Sequence, residues 1–106
     1  MKMKFYIKRG KTNIDAVAEY DAGAKTMTVL QGSKVSDSIS QSEKFRGAKS
    51  IEKSRQGIVD ANHILIKDIV FKSPSTAANF VTGISTNGRD AWKDEKGHTF
   101  KQVIGD

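Results

Sequence analysis

The stretch "SPSTAANFVTG", Ser73 to Gly83, constrains the fold more than any other part of the chain. Serine at Ser73 can cap a helix through its side-chain oxygen, and Pro74 then fills the first helical position, where a missing N–H costs nothing. Ala77, Ala78, Phe80 and Val81 form an apolar stripe, and Gly83 can take the left-handed conformation that ends a helix. The two alanines let such a helix lie close to a sheet. This segment therefore predicts a short helix packed on strands.

Strands are written into the first third of the chain. "MKFYIK" is aromatic and β-branched, which predicts a strand from Met3 to Lys8. "DAVAEYD" and "KTMTVLQGS" read as two more, joined by the turn "DAGAK" with Gly23. In the latter, Met27, Val29 and Gln31 share one face while Thr28 and Leu30 take the other. Three consecutive strands imply an antiparallel meander, which needs a helix to cover it. The serine-rich "GSKVSDSISQS" reads as a surface loop, with Ser40 or Ser42 capping a helix over "EKFRGAKSIEKSRQGIVD". On a helical wheel Phe45, Ala48, Ile51, Ile58 and Val59 fall on one side, and Gly47 and Gly57 each weaken the helix by about 1 kcal/mol. "ANHILIKDIVFKS" predicts a short strand or an extended connector, with Ile64 and Ile66 on one face and Ile69 and Phe71 continuing the pattern. Asn87-Gly88 is a turn signal, and "AWK" can pair with "HTF" across "DEKG". The expected architecture is one α+β domain over residues 1–106: a β-meander, a helix, a short strand, the SPS-capped short helix and a C-terminal β-hairpin.

Composition narrows the function. Within 106 residues there is no cysteine, which removes disulfides, thiolate catalysis and cysteine-ligated zinc. No phosphate-binding loop occurs, and no serine sits in a nucleophile elbow. His63 and His98 lie in separate segments without metal-ligand spacing. A non-catalytic protein is expected, with no cofactor and no metal. "MKMKFYIKRG" lacks the apolar run of a signal peptide and no segment approaches a membrane span, so the expected location is the cytoplasm. The net charge is +6, with five positive residues and no acid between Lys2 and Lys11. Such an excess favours polyanions, because neutralising phosphates releases counterions.

Two groups of residues are candidates for that contact. Arg46, Lys49 and Lys53 fall within about 60° of each other on the helix face opposite the apolar stripe. Asn87, Arg89, Trp92 and Lys93 cluster at the expected hairpin. Arginine and lysine neutralise phosphate, asparagine reads a base edge through two bonds, and Trp92 is either a stacking platform or a core residue. The helix charges fit an ordinary solvated face equally well.

"FKSPSTAANFVTGISTNGRDAWKDEKGHTF", together with the earlier "VLQGSKV", resembles an uncharacterised bacterial domain family often found C-terminal to GIY-YIG nuclease domains. Ser73, Ser75, Asn87, Gly88 and Trp92 carry the likeness. Ile84 and Arg89 depart from it, standing where the family often has arginine and an aromatic residue. A more distant similarity is to the restriction-system adenine-methylase-associated domain. The resemblance implies a nucleic-acid-associated module, with DNA as the first candidate, or a module that docks on a nuclease or methylase protein. The chain has no GIY-YIG signature, so nuclease activity is not implied.

Overall fold

The computed structural model describes residues 2–37, 39–40 and 48–105. Four antiparallel strands form one sheet in the order β1 (Lys2–Arg9), β2 (Ile14–Asp21), β3 (Thr26–Val29) and β4 (Ile69–Phe71). The first three are the expected meander. β1 and β2 are joined through a single 3-10 turn, Gly10–Thr12, and the left-handed Asn13. Alternation in β1 and β2 sends Phe5, Ile7, Ile14, Ala16, Ala18 and Tyr20 to one face, where all are buried. Lys2, Lys4, Tyr6 and Lys8 take the other.

Helix α1 (Ala48–Arg55) precedes β4, and α2 (Pro74–Thr82) follows it. Ala77, Ala78, Phe80 and Val81 of α2 are buried in the same core as the inner face of the sheet, together with Met27 and Val29. Two four- to five-residue helices close the chain, α3 (Gly88–Ala91) and α4 (Phe100–Ile104). Phe100 fixes α4 to the sheet: its ring lies 5.2 Å from Phe5 and 4.7 Å, edge-on, from Tyr20. Aromatic pairs at such separations add to the burial of their surface. The described helices thus cover one face of the sheet, and Lys2, Lys4, Lys8 and Val70 are exposed on the other.

Three details differ from the pattern read in the sequence. The helix over "EKFRGAKSIEKSRQGIVD" ends at Arg55, because Gly57 is left-handed (φ 73°) and Val59 turns back to bridge Leu65. Phe45, Arg46 and Gly47 lie outside the described residues. In the next segment the buried residue is Leu65, while Ile66 is half exposed; β4 itself is confined to Ile69–Phe71. At the C-terminus, pairing across "DEKG" occurs but is reduced to one bridge, Lys93 to Thr99. Asn87-Gly88 does not make a hairpin turn; Asn87 caps α3 and Gly88 opens it. Thr99 and Gln102 form a reciprocal capping box that turns "HTF" into the start of α4. Local side-chain bonds to the backbone override the strand preference of these short segments.

Candidate nucleic-acid interface

The SPS and NG motifs meet in space. Ser73 caps α2 by accepting from the Thr76 N–H at 3.1 Å, and Gly83 ends it with φ 72°, as its sequence predicts. Ser75 Oγ accepts from the Gly88 N–H at 3.1 Å, and Asn79 Oδ1 accepts from Thr86 N–H at 2.8 Å. Trp92 is fully buried, and its Nε1 donates to the Pro74 carbonyl at 2.9 Å. Gly88 presses on the same peptide so closely that a Cβ would overlap the Pro74 carbonyl. These residues bolt α3 to the first turn of α2.

The "VLQGSKV" segment has an equivalent role. Leu30 N–H donates to the Val17 carbonyl, and Lys34 pairs with Asp15 in both directions. Between these two pairings Ser33 Oγ accepts from Val17 N–H at 3.0 Å and donates to its carbonyl at 3.1 Å. The buried serine hydroxyl takes the place of a strand partner, and Gly32 (φ 89°) makes the bend that brings it there.

Residues 5–104, which include every one of these motifs, match the family model described as a domain of unknown function, DUF4357. The chain belongs to that family. Comparison with curated proteins and with solved structures gives no match. In this DUF4357 domain the sequence motifs hold elements together, so ligand contacts must be sought at other side chains.

Trp92 is removed from the candidate interface by burial: no base can reach a ring without exposed surface. Asn87 is exposed, but its Oδ1 already accepts from Arg89 N–H at 3.0 Å. Its carbonyl is committed to capping α3, which leaves the amide N–H groups for a ligand and weakens the case for two-bond base readout. Arg89 and Lys93 are exposed. Lys49 and Lys53 are also exposed, on α1, and line neither the groove that Lys93 borders nor the one that Asn87 borders.

Sequence reading missed the residue that links Asn87 to Lys93, Arg9. It lies at the end of β1 and borders two open grooves. One, of about 310 Å³, includes Asn87, Thr86 and Ile84; the other, of about 330 Å³, includes Lys8 and Lys93. The run of positive charge from Lys2 to Lys11 was visible in the sequence, but its position beside Lys93 depends on the backbone pairing of Tyr6 with Lys93. None of Lys8, Arg9, Lys11, Arg89 and Lys93 is within ion-pair distance of a described carboxylate, although Asp90 borders both grooves and Asp94 and Glu95 border the one with Lys8 and Lys93.

A second missed residue is Arg55. Its guanidinium donates to the Phe80 carbonyl (2.6 Å from Nη2, 3.2 Å from Nε), to the Ser36 carbonyl at 3.0 Å and to Ser36 Oγ at 3.0 Å. Burial pulls its pKa down to about 10, which leaves it charged near neutrality. The charge sits at the C-terminal end of α2, where the helix dipole favours a cation. It is structural.

The histidines face separate carboxylates, His63 with Asp37 at 3.4 Å and His98 with Asp94 at 3.5 Å. Burial opposes ionisation of Asp94, but hydrogen bonds from His98 and Lys96 N–H outweigh it and hold the pKa below the usual aspartate range. Asp94 thereby shapes the "DEKGH" turn. Among the described residues no cluster of three potential metal ligands occurs, and no helix is long and apolar enough to cross a membrane.

Proposed function

We propose that this DUF4357 domain is a non-catalytic nucleic-acid-binding module that serves a nuclease or a restriction-system methylase in the cytoplasm. The observation that carries the reading is the position of Arg9, which borders one groove with Asn87 and another with Lys8 and Lys93, while these cations are free of ion pairs with described carboxylates. Cations not neutralised within the protein are the ones able to replace the counterions of a phosphate backbone. The net charge of +6 supports the same direction through long-range attraction.

The test is titration of labelled single- and double-stranded oligonucleotides with the folded domain at several salt concentrations. Binding that weakens steeply with salt supports the reading. Absence of binding at low salt overturns it in favour of a module that docks on a nuclease or methylase protein, for which pull-down with that partner is the measurement.

A further inference from the structure

The aromatic inventory of the sheet singles out one residue. Phe5, Tyr20, Phe80, Trp92 and Phe100 are buried in the core, and Phe71 packs against it with its ring 5.1 Å from that of Phe80. Among the described aromatic residues, Tyr6 alone belongs to no core cluster. It sits on the face of β1 that no described helix covers, between Lys4 and Lys8. Its backbone is held on both sides: Phe5 and Ile7, its neighbours in β1, pack inward, and Tyr6 N–H and C=O exchange bonds with Lys93 at 2.7 and 3.0 Å. Three adjoining grooves share Tyr6 as a wall, and Lys4, Lys8, Arg9, Lys93 and Lys96 border one or another of them.

We propose that Tyr6 is a stacking platform for an unpaired base, so that the nucleic acid bound is single-stranded; this rests on the nucleic-acid reading above. A base inside a duplex has both faces covered by its neighbours and cannot stack on a side chain, whereas a single strand offers its bases and its phosphates together. A half-buried aromatic ring on a held strand, flanked by cations that make no ion pair with a described carboxylate, matches that pair of demands. The Lys8 ammonium lies 5.5 Å from the centre of the Tyr6 ring, a surface contact weak enough to be exchanged when a base arrives. Lys8 then serves the adjoining phosphate. Asp94 and Glu95, which border the same three grooves, oppose phosphate there and set where the strand can run.

The experiment uses the full chain with fluorescein-labelled oligothymidylate of about 12 nucleotides, a length within the usual footprint of such surfaces, and a duplex of equal length. Wild-type protein binds the single strand more tightly than the duplex. Tyr6→Leu weakens single-strand binding about five- to hundred-fold without changing the salt slope, because no cation is removed. Tyr6→Phe stays within about twofold of wild type, since the ring is kept. Thermal melts of each variant establish folding. Should Tyr6→Leu fail to fold, photocrosslinking of the wild-type protein to an oligonucleotide carrying 5-iododeoxyuridine decides, with the adduct expected on Tyr6. Binding that is indifferent to Tyr6→Leu yet weakened by Arg9→Gln and Lys93→Gln overturns the stacking proposal and leaves the nucleic-acid reading standing. Crosslinks that avoid Tyr6 do the same. Absence of binding to either oligonucleotide overturns both.

Discussion

The indole N–H of Trp92 donates to the carbonyl of Pro74 at 2.9 Å, across 18 residues of chain. Pro74 opens α2 and Trp92 follows α3, so this bond and the close approach of Gly88 to the same peptide fix the angle between the two helices. The ring is wholly buried and its one polar atom is satisfied, as a buried tryptophan requires.

Gly88→Ala is the sharpest test of that junction. The added methyl overlaps backbone atoms of Pro74, which cannot swing aside as a side chain would. The expected loss is about 3 kcal/mol or more of unfolding free energy, measured by urea titration with Trp92 fluorescence as the signal. Trp92→Phe, followed by circular dichroism, loses about 1–3 kcal/mol from the vacated volume and the unpaired carbonyl.

The caps of α2 give graded effects. Ser73→Ala removes the acceptor for Thr76 N–H and costs roughly 0.5–2 kcal/mol. Gly83→Val forces a β-branched residue into a left-handed conformation (φ 72°) and costs on the order of 1 kcal/mol or more. An unchanged melting temperature in either variant contradicts its capping role.

Much of this was legible because it is local. Ser73, Pro74 and Gly83 each act within a few residues of themselves, and the alternation of β1 to β3 marks its own buried face. Long-range partnerships were not legible. Arg55 reads as one more helix cation until the fold brings it to Phe80 and Ser36, which lie 25 and 19 residues away. Trp92 reads as either a core residue or a stacking platform until the fold buries it, and Arg9 as one charge in a run until the fold sets it beside Asn87 and Lys93. Whether a side chain is a core residue or a surface one at these positions is decided by how β1 meets the segment after α3, through Tyr6 and Lys93. The hairpin shrank to one bridge because Asn87 and Thr99 commit their side chains to capping helices.

Arg55→Met should destabilise the domain by about 2–4 kcal/mol, since carbonyls of Phe80 and Ser36 lose a charged donor and the apolar side chain restores none of it. Arg55→Lys should fall between methionine and wild type. An ammonium supplies the charge at the end of α2 but cannot span Ser36 and Phe80 as the planar guanidinium does. Chemical denaturation of the three proteins in parallel checks this order; equal stabilities for methionine and wild type would remove the role assigned to Arg55.

Acid should loosen the turns formed by Asp21 and Asp94. Hydrogen bonds from Ala24 and Gly23 N–H lower the pKa of Asp21, and those from His98 and Lys96 lower that of Asp94 against the opposing effect of burial. A carboxylate with a depressed folded-state pKa contributes stability above its unfolded value, near 3.9, and that contribution is lost as pH falls through the folded value. Carboxyl chemical shifts followed by NMR should therefore titrate below the unfolded midpoint for both residues. In Asp94→Asn the part of the acid dependence belonging to the "DEKGH" turn should disappear.

The two basic surfaces can be separated by charge removal. Arg9 and Lys93 border the groove beside the Tyr6–Lys93 pairing and Arg89 is exposed on the neighbouring α3, whereas Lys49 and Lys53 are exposed on α1. If phosphates lie along the first surface, changing Arg9, Arg89 and Lys93 together to Gln should weaken binding tenfold or more at fixed salt. The slope of log affinity against log salt should flatten by about 2 to 3, at roughly 0.7–0.9 for each phosphate no longer neutralised. Changing Lys49 and Lys53 to Gln removes two charges from elsewhere, so it should lower affinity modestly through the overall field and leave the slope nearly unchanged. All these side chains lie outside the core, so melting temperatures should stay close to wild type. A flattened slope in the α1 variant, with none in the triple variant, would move the interface from Arg9 to α1.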